Sequence, residues 1–443
     1  MTTDVARADQ SDPTPHAASA GTPDAAHDVP AEGAPHAAAK EPLGPRFRAL
    51  LTSTGLANLA DGIVQVGLPL YAVTLTRSPS QVALLTAASW LPWLLLALVG
   101  GMAVDRSDRK RVQVAALGTR AVLLTGAAAL VLTGHMSMLL LVTLALAYGA
   151  TDVLVDLAET ALVPDVAPRS RLQAANGRVQ AVQMVAGAFV GAPIAGLLLG
   201  WDATALLAVP AVLAAAGAAV LATIRGSYRH ATSGPRGPRA ALHEIREGLS
   251  TLVHHPVLRP MTIAGAVFNM ASTGYTTLLV LWAVGEGSAL GLAPEQYAWI
   301  GVAMAVGAVT GSVLVEPALR VVPELRLILG GWWAGAVLLA VPVLFPVPWL
   351  LYPVLVAIGM ASASANVVSR TLRQRLVAPR LMGRVTGASR TLGFGLMPLG
   401  AVLAGVAADR WGLAPVMLAA AAVCVAVPAL PALTVRQRML DEA

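Results

Sequence analysis

The sequence has little charge. Only 12% of its 443 residues are Asp, Glu, Lys or Arg, while 56% are hydrophobic. A soluble protein carries about 25% charged residues. Length alone would suggest two or three soluble domains, but the shortage of charge excludes that reading. Cysteine is nearly missing too. Cys424 stands alone in an apolar run, which excludes a disulfide scaffold and reads as a small buried hydrophobe. Lysine is scarce: Lys40 and Lys110 are the only two. Neither sits in a Gly-x-x-x-x-Gly-Lys-Ser/Thr phosphate loop, and neither His-Glu-x-x-His nor Gly-x-Ser-x-Gly occurs. No cofactor, no metal site and no enzymatic centre are therefore expected. The net charge of +6 does not point to nucleic acid, because the arginines lack patches with interleaved aromatics.

What is present is apolar sequence with short breaks. Residues 1–45 form a low-complexity Ala/Pro/Asp/His tail that cannot bury a core and is expected to be disordered. Its histidines, His16, His27 and His36, are spaced too widely for a metal. The tail has no apolar signal-peptide core. Apolar stretches then cover 48–75, 80–103, 112–133, 136–163, 173–199 and 203–224, and after an insert 258–285, 294–316, 326–345, 347–370, 383–408 and 413–434. A span needs about 20 apolar residues, so each stretch can cross a bilayer. The expected fold is an all-α membrane protein with twelve spans in two pseudo-symmetric six-helix bundles, 46–224 and 257–435, followed by a short tail, 436–443.

The basic residues support this count. With the first tail inside, the loops holding Arg46, Arg48, Arg106, Arg109, Lys110, Arg111, Arg169, Arg171, Arg320, Arg326, Arg373, Arg375, Arg380, Arg436 and Arg438 all fall on one side. The opposite loops hold only Arg77 and Arg410. By the positive-inside rule both termini are expected in the cytoplasm. The insert, 225–256, carries an amphipathic stretch from Leu242 to Val253, with Leu242, Ile245, Leu249, Leu252 and Val253 at helical spacing. It is expected to lie on the membrane surface between the bundles.

The halves echo each other. Val166-Ala167-Pro168-Arg169 precedes span 5 and Val377-Ala378-Pro379-Arg380 precedes span 11. A half-to-half repeat across twelve spans is the mark of a secondary transporter. Between spans 2 and 3 stands Gly101-Met102-Ala103-Val104-Asp105-Arg106-Ser107-Asp108-Arg109-Lys110-Arg111. It resembles the signature loop of the major facilitator superfamily, Gly-x-x-x-Asp-Arg-x-Gly-Arg-Arg/Lys. Gly101, Asp105, Arg106, Arg109 and Lys110 match, whereas Asp108 replaces a glycine. Gly101 is expected to let two helices approach closely. The resemblance implies that this loop latches one conformational state.

Asn58-Leu59-Ala60-Asp61-Gly62-Ile63, Leu91-Pro92-Trp93 and Leu172-Gln173-Ala174-Ala175-Asn176-Gly177 are similar to the superfamily's bacterial exporter branch, which includes enterobactin exporters and macrolide-efflux-type drug:proton antiporters. Span 5 carries Gly187-Ala188-Phe189-Val190-Gly191-Ala192-Pro193-Ile194-Ala195-Gly196. This resembles the antiporter motif Gly-x-x-x-Gly-Pro-x-x-Gly-Gly, with Pro193 displaced by one residue and Ala195 in place of a glycine. The resemblance implies a monomeric multi-pass protein of a bacterial plasma membrane. It also implies small amphipathic substrates such as drugs, antibiotics or siderophores, exchanged for protons.

A charge at the centre of a span costs about 2.5–3.5 kcal/mol by insertion scales and needs a reason. Asp61 lies on the order of 20 Å along span 1 at 1.5 Å per residue and is the first candidate for a proton-carrying carboxylate. Asp152, Asp156 and Glu159 share one face of span 4, within about 60°. Asp152 and Asp156 are further coupling candidates, and Glu159 is expected near the solvated end. Arg120, Asp156 and Arg178 lie at similar depth, roughly 9–12 Å, so ion pairs among them are expected. Arg370 and Arg390 either partner the signature loop or snorkel. Asn58, Gln65, Tyr148, Asn269, Tyr275 and Asn366 fall in the spans that line the cavity of the superfamily resembled, and are possible substrate contacts. Trp90, Trp93, Trp282, Trp332 and Trp333 fit either the interfacial belt or the core. The competing functions are import or symport on the same fold, a polytopic membrane enzyme and a non-transporting sensor.

Overall fold

Proline starts several of the helices, and three of these end at an extended residue, Thr76, Ser107 and Val377. Pro45, Pro79, Pro294 and Pro348 all occupy first positions, where the missing N–H costs nothing and the fixed φ suits a helix. The computed structural model describes residues 43–229, 238–378 and 381–441, except the side chains at 97–99, 102, 105, 238–245, 383 and 440–441. Most of the expected tail, including His16, His27 and His36, lies outside the described residues, as does Arg380.

Twelve helices among the described residues are long and apolar enough to cross a membrane. They are α1 (Pro45–Leu75), α2 (Pro79–Arg106), α3 (Arg109–Leu132), α4 (Met138–Val166), α5 (Arg169–Trp201) and α6 (Ala203–Ala222). After the linker helix Pro238–His254 come α7 (Leu258–Ala283), α8 (Pro294–Leu319), α9 (Glu324–Leu344), α10 (Pro348–Leu376), α11 (Arg384–Trp411) and α12 (Leu413–Thr434). They form two six-helix bundles. The bounds fall close to the apolar stretches except at α10, which runs six residues beyond 370. Its last turns are polar outside but bury Val368 and Leu372 against Leu325, Ile328 and Leu329, and Arg373 and Arg375 suit its C-terminal dipole.

The bundles meet at the face opposite the basic loops. One buried cluster there joins Leu70, Val73 and Val82 of the first bundle to Tyr275, Leu278, Leu281 and Met417 of the second. Arg77 donates to the Val284 carbonyl at 2.7 Å, and Ser78 donates to Asp409 at 3.4 Å. At the basic face, the buried clusters around Phe47 and Leu162 and around Ile328 and Leu372 each stay within one bundle. The molecule is therefore closed at the face opposite the basic loops.

The linker helix does not float between the bundles. Leu252 is buried with Leu258, Val377, Val385 and Ala388, and Glu247 pairs with Arg384 at the start of α11. Leu249 and Val253 are exposed, and the side chains of Leu242 and Ile245 lie outside the described residues. Amphipathic spacing alone does not distinguish a membrane surface from a protein groove.

The motif in α5 departs from an α-helix. Val185–Gly191 is a π-segment, and Ala192 N–H reaches back five residues to the Gly187 carbonyl. Pro193 has no N–H to continue the ladder. A π-turn accommodates an extra residue, the same increment by which the proline is displaced from the motif. The segment is pressed on α1: a Cβ at Gly62 would lie 2.8 Å from Gly187 Cα, and one at Gly191 would lie 2.8 Å from the Leu59 carbonyl. A Cβ at Gly196 would lie 2.7 Å from the Pro294 carbonyl of α8.

Gly62→Val should therefore lower the thermal stability of the detergent-solubilised protein by about 1–3 kcal/mol, the cost of overpacking a tight contact. Gly126→Ala, whose added Cβ meets nothing within 4 Å, should hold or raise it. Equal melting temperatures for the two variants would contradict the close α1–α5 crossing.

Candidate functional site

The buried charges of the first bundle converge on Arg120. Its side chain is 0% exposed. An arginine placed there has no water to solvate it, so its five N–H donors need acceptors from neighbouring helices. Nη1 donates to Asp61 of α1 at 2.6 Å, Nη2 to Asp152 of α4 at 2.7 Å, and Nε to the Thr151 hydroxyl at 3.0 Å. The guanidinium also lies 4.7 Å from the Tyr148 ring centroid. Tyr148 donates its hydroxyl to Asp61, and Trp93 donates to the second oxygen of Asp152 at 3.2 Å. Two carboxylates thus share one cation, leaving one negative charge in excess when both are ionised.

The carboxylates, unlike the arginine, reach a cavity of about 290 Å³. Asp61 and Asp152 keep 27% and 36% of their side-chain surface. Asn58, Gln65, Trp90, Trp93 and Tyr148 complete much of the wall. Across the bundle interface, Trp90 and Trp93 pack on Phe394 of α11, with ring centroids 5.7 and 6.0 Å apart. A second cavity of about 380 Å³ lies in the other bundle and includes Asn269 and Asn366. Tyr275 lines neither cavity: it is buried in the closed-face cluster, 2% exposed, with no partner for its hydroxyl among the described residues. Trp282 is a packing residue bonded to the Pro342 carbonyl, and Trp332, stacked on Phe268, lines the second cavity. Trp333, partly exposed, donates to the Val425 carbonyl at 3.0 Å.

The expected pairing among Arg120, Asp156 and Arg178 does not occur. Arg120 turns to Asp61 and Asp152. Asp156 faces Arg390 of the second bundle at 3.8 Å, and Arg390 also covers the Trp93 and Phe394 rings. Arg178 is exposed on α5 and pairs with no acid among the described residues. A depth count carries no information about the rotation of a side chain about its helix axis, and rotation decides these pairs. Glu159 is not solvated either. It is 4% exposed, accepting from Thr54 of α1 and Gln183 of α5, each at 2.8 Å.

The signature loop is engaged within its own bundle. Arg109 pairs with Asp165 at 2.9 Å and bonds the Ala161 carbonyl, and Lys110 donates to the Ile224 carbonyl at 2.9 Å. Arg106 is exposed, and the Asp105 side chain lies outside the described residues. Gly101 makes no close approach, since an added Cβ would meet nothing within 4 Å. Asp108, the departure from the motif, has a local reason. It caps α3 by accepting from Arg111 N–H at 3.1 Å, and it also accepts from Tyr228 N–H at 3.2 Å. Partial burial opposes its ionisation, but those N–H groups, the Ser227 hydroxyl and the Arg111 charge outweigh it and hold the carboxyl below the usual range.

The class that this fold and site define is a membrane transporter. The family model of the Major Facilitator Superfamily matches residues 50–401, and the chain belongs to that superfamily. It is 27% identical over 392 residues to the multidrug efflux pump Tap of Mycobacterium tuberculosis (strain ATCC 25618 / H37Rv), covering 85% of this chain and 90% of that one. It is 26% identical over 347 residues to the enterobactin exporter EntS of Escherichia coli O9:H4 (strain HS), covering 77% and 80%. Among solved structures, the fold matches a bacterial homologue of the human lysosomal transporter Spinster, inward-facing and unoccupied, with TM-score 0.69, 14% identity and coverage of 90% and 97%. It also matches the nucleoside transporter NupG with TM-score 0.66, 14% identity and coverage of 88% and 99%. The protein is a multi-pass inner-membrane transporter, not an enzyme, and acts on small molecules.

Removing the cation from the cluster should be costly. Arg120→Gln leaves two carboxylates facing each other and should destabilise the protein by about 3–5 kcal/mol, the range for breaking a buried ion pair. Arg178→Gln, on an exposed site, should leave the melting temperature unchanged. Thermal unfolding of both purified variants checks the contrast.

Proposed function

We propose that this transporter is a proton-driven exporter of small amphipathic molecules working by alternating access. The observation that carries the reading is the Asp61–Arg120–Asp152 cluster on the cavity wall. A carboxylate pair sharing one cation has a single excess charge, which either a proton or a cationic substrate group can neutralise. Competition between the two for one site is the simplest physical basis of exchange. The aromatic wall of Trp90, Trp93 and Tyr148 suits the apolar part of an amphipathic molecule. Similarity to Tap and EntS, both named as exporting proteins, supports export over import.

The orientation follows from the positive-inside rule. By that rule the arginine-rich face is cytoplasmic, so closure at the other face makes this the inward-facing state. Substrate enters from the cytoplasm or inner leaflet. Arg109 and Lys110 are held within their own bundle here, which supports reading the loop of Gly101, Asp105, Arg106, Arg109 and Lys110 as a latch engaged in the opposite state. Asp61 and Asp152 are the coupling groups. Asp156, facing Arg390 across the interface, is a gating group.

The test uses accumulation of labelled compounds from a drug-susceptibility panel in an efflux-deficient host. An uncoupler should raise accumulation in cells carrying the wild-type protein. Asp61→Asn should abolish the difference from empty-vector cells while its membrane level is unchanged. Accumulation that falls with the uncoupler would establish import, and unaltered efflux by Asp61→Asn would remove Asp61 from the mechanism.

A further inference from the structure

Of the four acids Asp61, Asp152, Asp156 and Glu159 in the spans of the first bundle, the first three each face an arginine and keep part of their side-chain surface. Glu159 faces none among the described residues. Its two oxygens take a hydroxyl from Thr54 and an amide from Gln183, both neutral donors. The charged groups near it among the described residues include two acids, Asp156 on its own helix and Asp61 on α1. On α5, Arg178 is exposed and pairs with no described acid. Arg390 of α11 is committed to Asp156. An ionised carboxylate without a cation is expensive to bury, and such a group ordinarily takes up a proton instead.

The partners suit either state. A charged carboxylate accepts from the Thr54 hydroxyl. A protonated one donates its own O–H back to the same oxygen, because a hydroxyl serves as donor or acceptor. No heavy atom needs to move. Position adds a second argument. Asp152, Asp156 and Glu159 descend α4 toward the basic face, while Asp61, Asn58 and Thr54 descend α1 beside them, with Asn58 bonded to the Thr54 carbonyl at 2.9 Å. Glu159 and Thr54 are the lowest rung of this polar ladder. Gln183 lies two residues before the π-segment of α5, so the same carboxylate ties α4, α1 and the irregular helix together.

We propose that Glu159 is a proton-binding site, distinct from the Arg120 cluster, where the proton is held before release toward the basic face. This rests on the proton-exchange reading above. The step is simple: a hydronium ion gives its proton to the Glu159 oxygen beside Thr54 and becomes water, and on release that O–H bond breaks as a water molecule takes the proton.

The test is infrared difference spectroscopy of the full-length protein in lipid films as pH is raised. A protonated-carboxyl C=O band should be present at low pH and lost at high pH. It should vanish in Glu159→Gln and persist in Asp61→Asn. Thr54→Val removes a donor that favours the charged form, so the band should survive to higher pH in that variant. Thr54→Val also serves if Glu159→Gln does not fold. No titrating band in the wild type, an undiminished band in Glu159→Gln, or no displacement in Thr54→Val would each overturn the assignment. If proton exchange itself is wrong, accumulation will be insensitive to the uncoupler while the Glu159 band remains.

Discussion

Everything in the first bundle is arranged around one requirement, that a guanidinium excluded from both water and lipid be neutralised. Arg120 cannot lose its proton in practice and cannot snorkel from a fully buried position. It must draw acceptors inward. Those acceptors come from α1 and α4, so the contact fixes the relative rotation of three helices about their own axes. Once Asp61 and Asp152 point at Arg120, Trp93 donates to the second oxygen of Asp152, and Tyr148 donates to the same Asp61 oxygen that accepts from Arg120. The cavity wall is a consequence of this neutralisation as much as a surface shaped for a ligand.

The other buried charges show how the same constraint is met with less. Asp156 is opposed by Arg390 from the other bundle at 3.8 Å, a longer contact than those of Arg120 and one supported by the faces of Trp93 and Phe394. Glu159 has only neutral donors. The acids of α4 therefore form a series: Asp152 is paired within the bundle, Asp156 across the bundles, and Glu159 with no cation among the described residues. Helical spacing put them on one face, but their neighbours gave them three different electrostatic situations.

Much of this was legible in the sequence, and what was not has a physical reason. Span positions follow from runs of apolar residues, because lipid leaves no other way to satisfy the backbone. Counting residues at a fixed rise assigns Asp61, Arg120, Asp156 and Arg178 a depth each. Partner choice does not follow from depth, since two side chains at one level can face opposite directions. That is why Arg120 was expected beside Asp156 and Arg178 and is found with Asp61 and Asp152 instead. Glu159 looked solvated from its distance to the helix end, but α1 and α5 cover it. The cue available was Thr54, whose position along α1 mirrors that of Glu159 along the antiparallel α4. Asp108 looked like a defect in a glycine motif; the start of α3 one residue later explains it as a cap.

The location of each contact relative to the bundle boundary decides what it can do in a rocking transporter. Arg120, Asp61, Asp152, Tyr148 and Thr151 all belong to the first bundle, and so do Glu159, Thr54 and Gln183. Rigid-body motion leaves these sets intact, and only a change in protonation or a ligand alters them. Asp156–Arg390, Trp93–Phe394 and Ser78–Asp409 cross between the bundles, so motion must lengthen or exchange them. In the proposed alternating-access cycle, chemical change would thus be confined within a bundle and mechanical change to its boundary. The two meet on α4, where Asp152 and Asp156 lie one turn apart: one is held by the internal arginine and the other by the arginine of the opposite bundle. In the proposed exchange cycle, a shift of charge at Asp152 would act on Asp156 across a single turn of helix, beside the one acid of the pair that faces the other bundle.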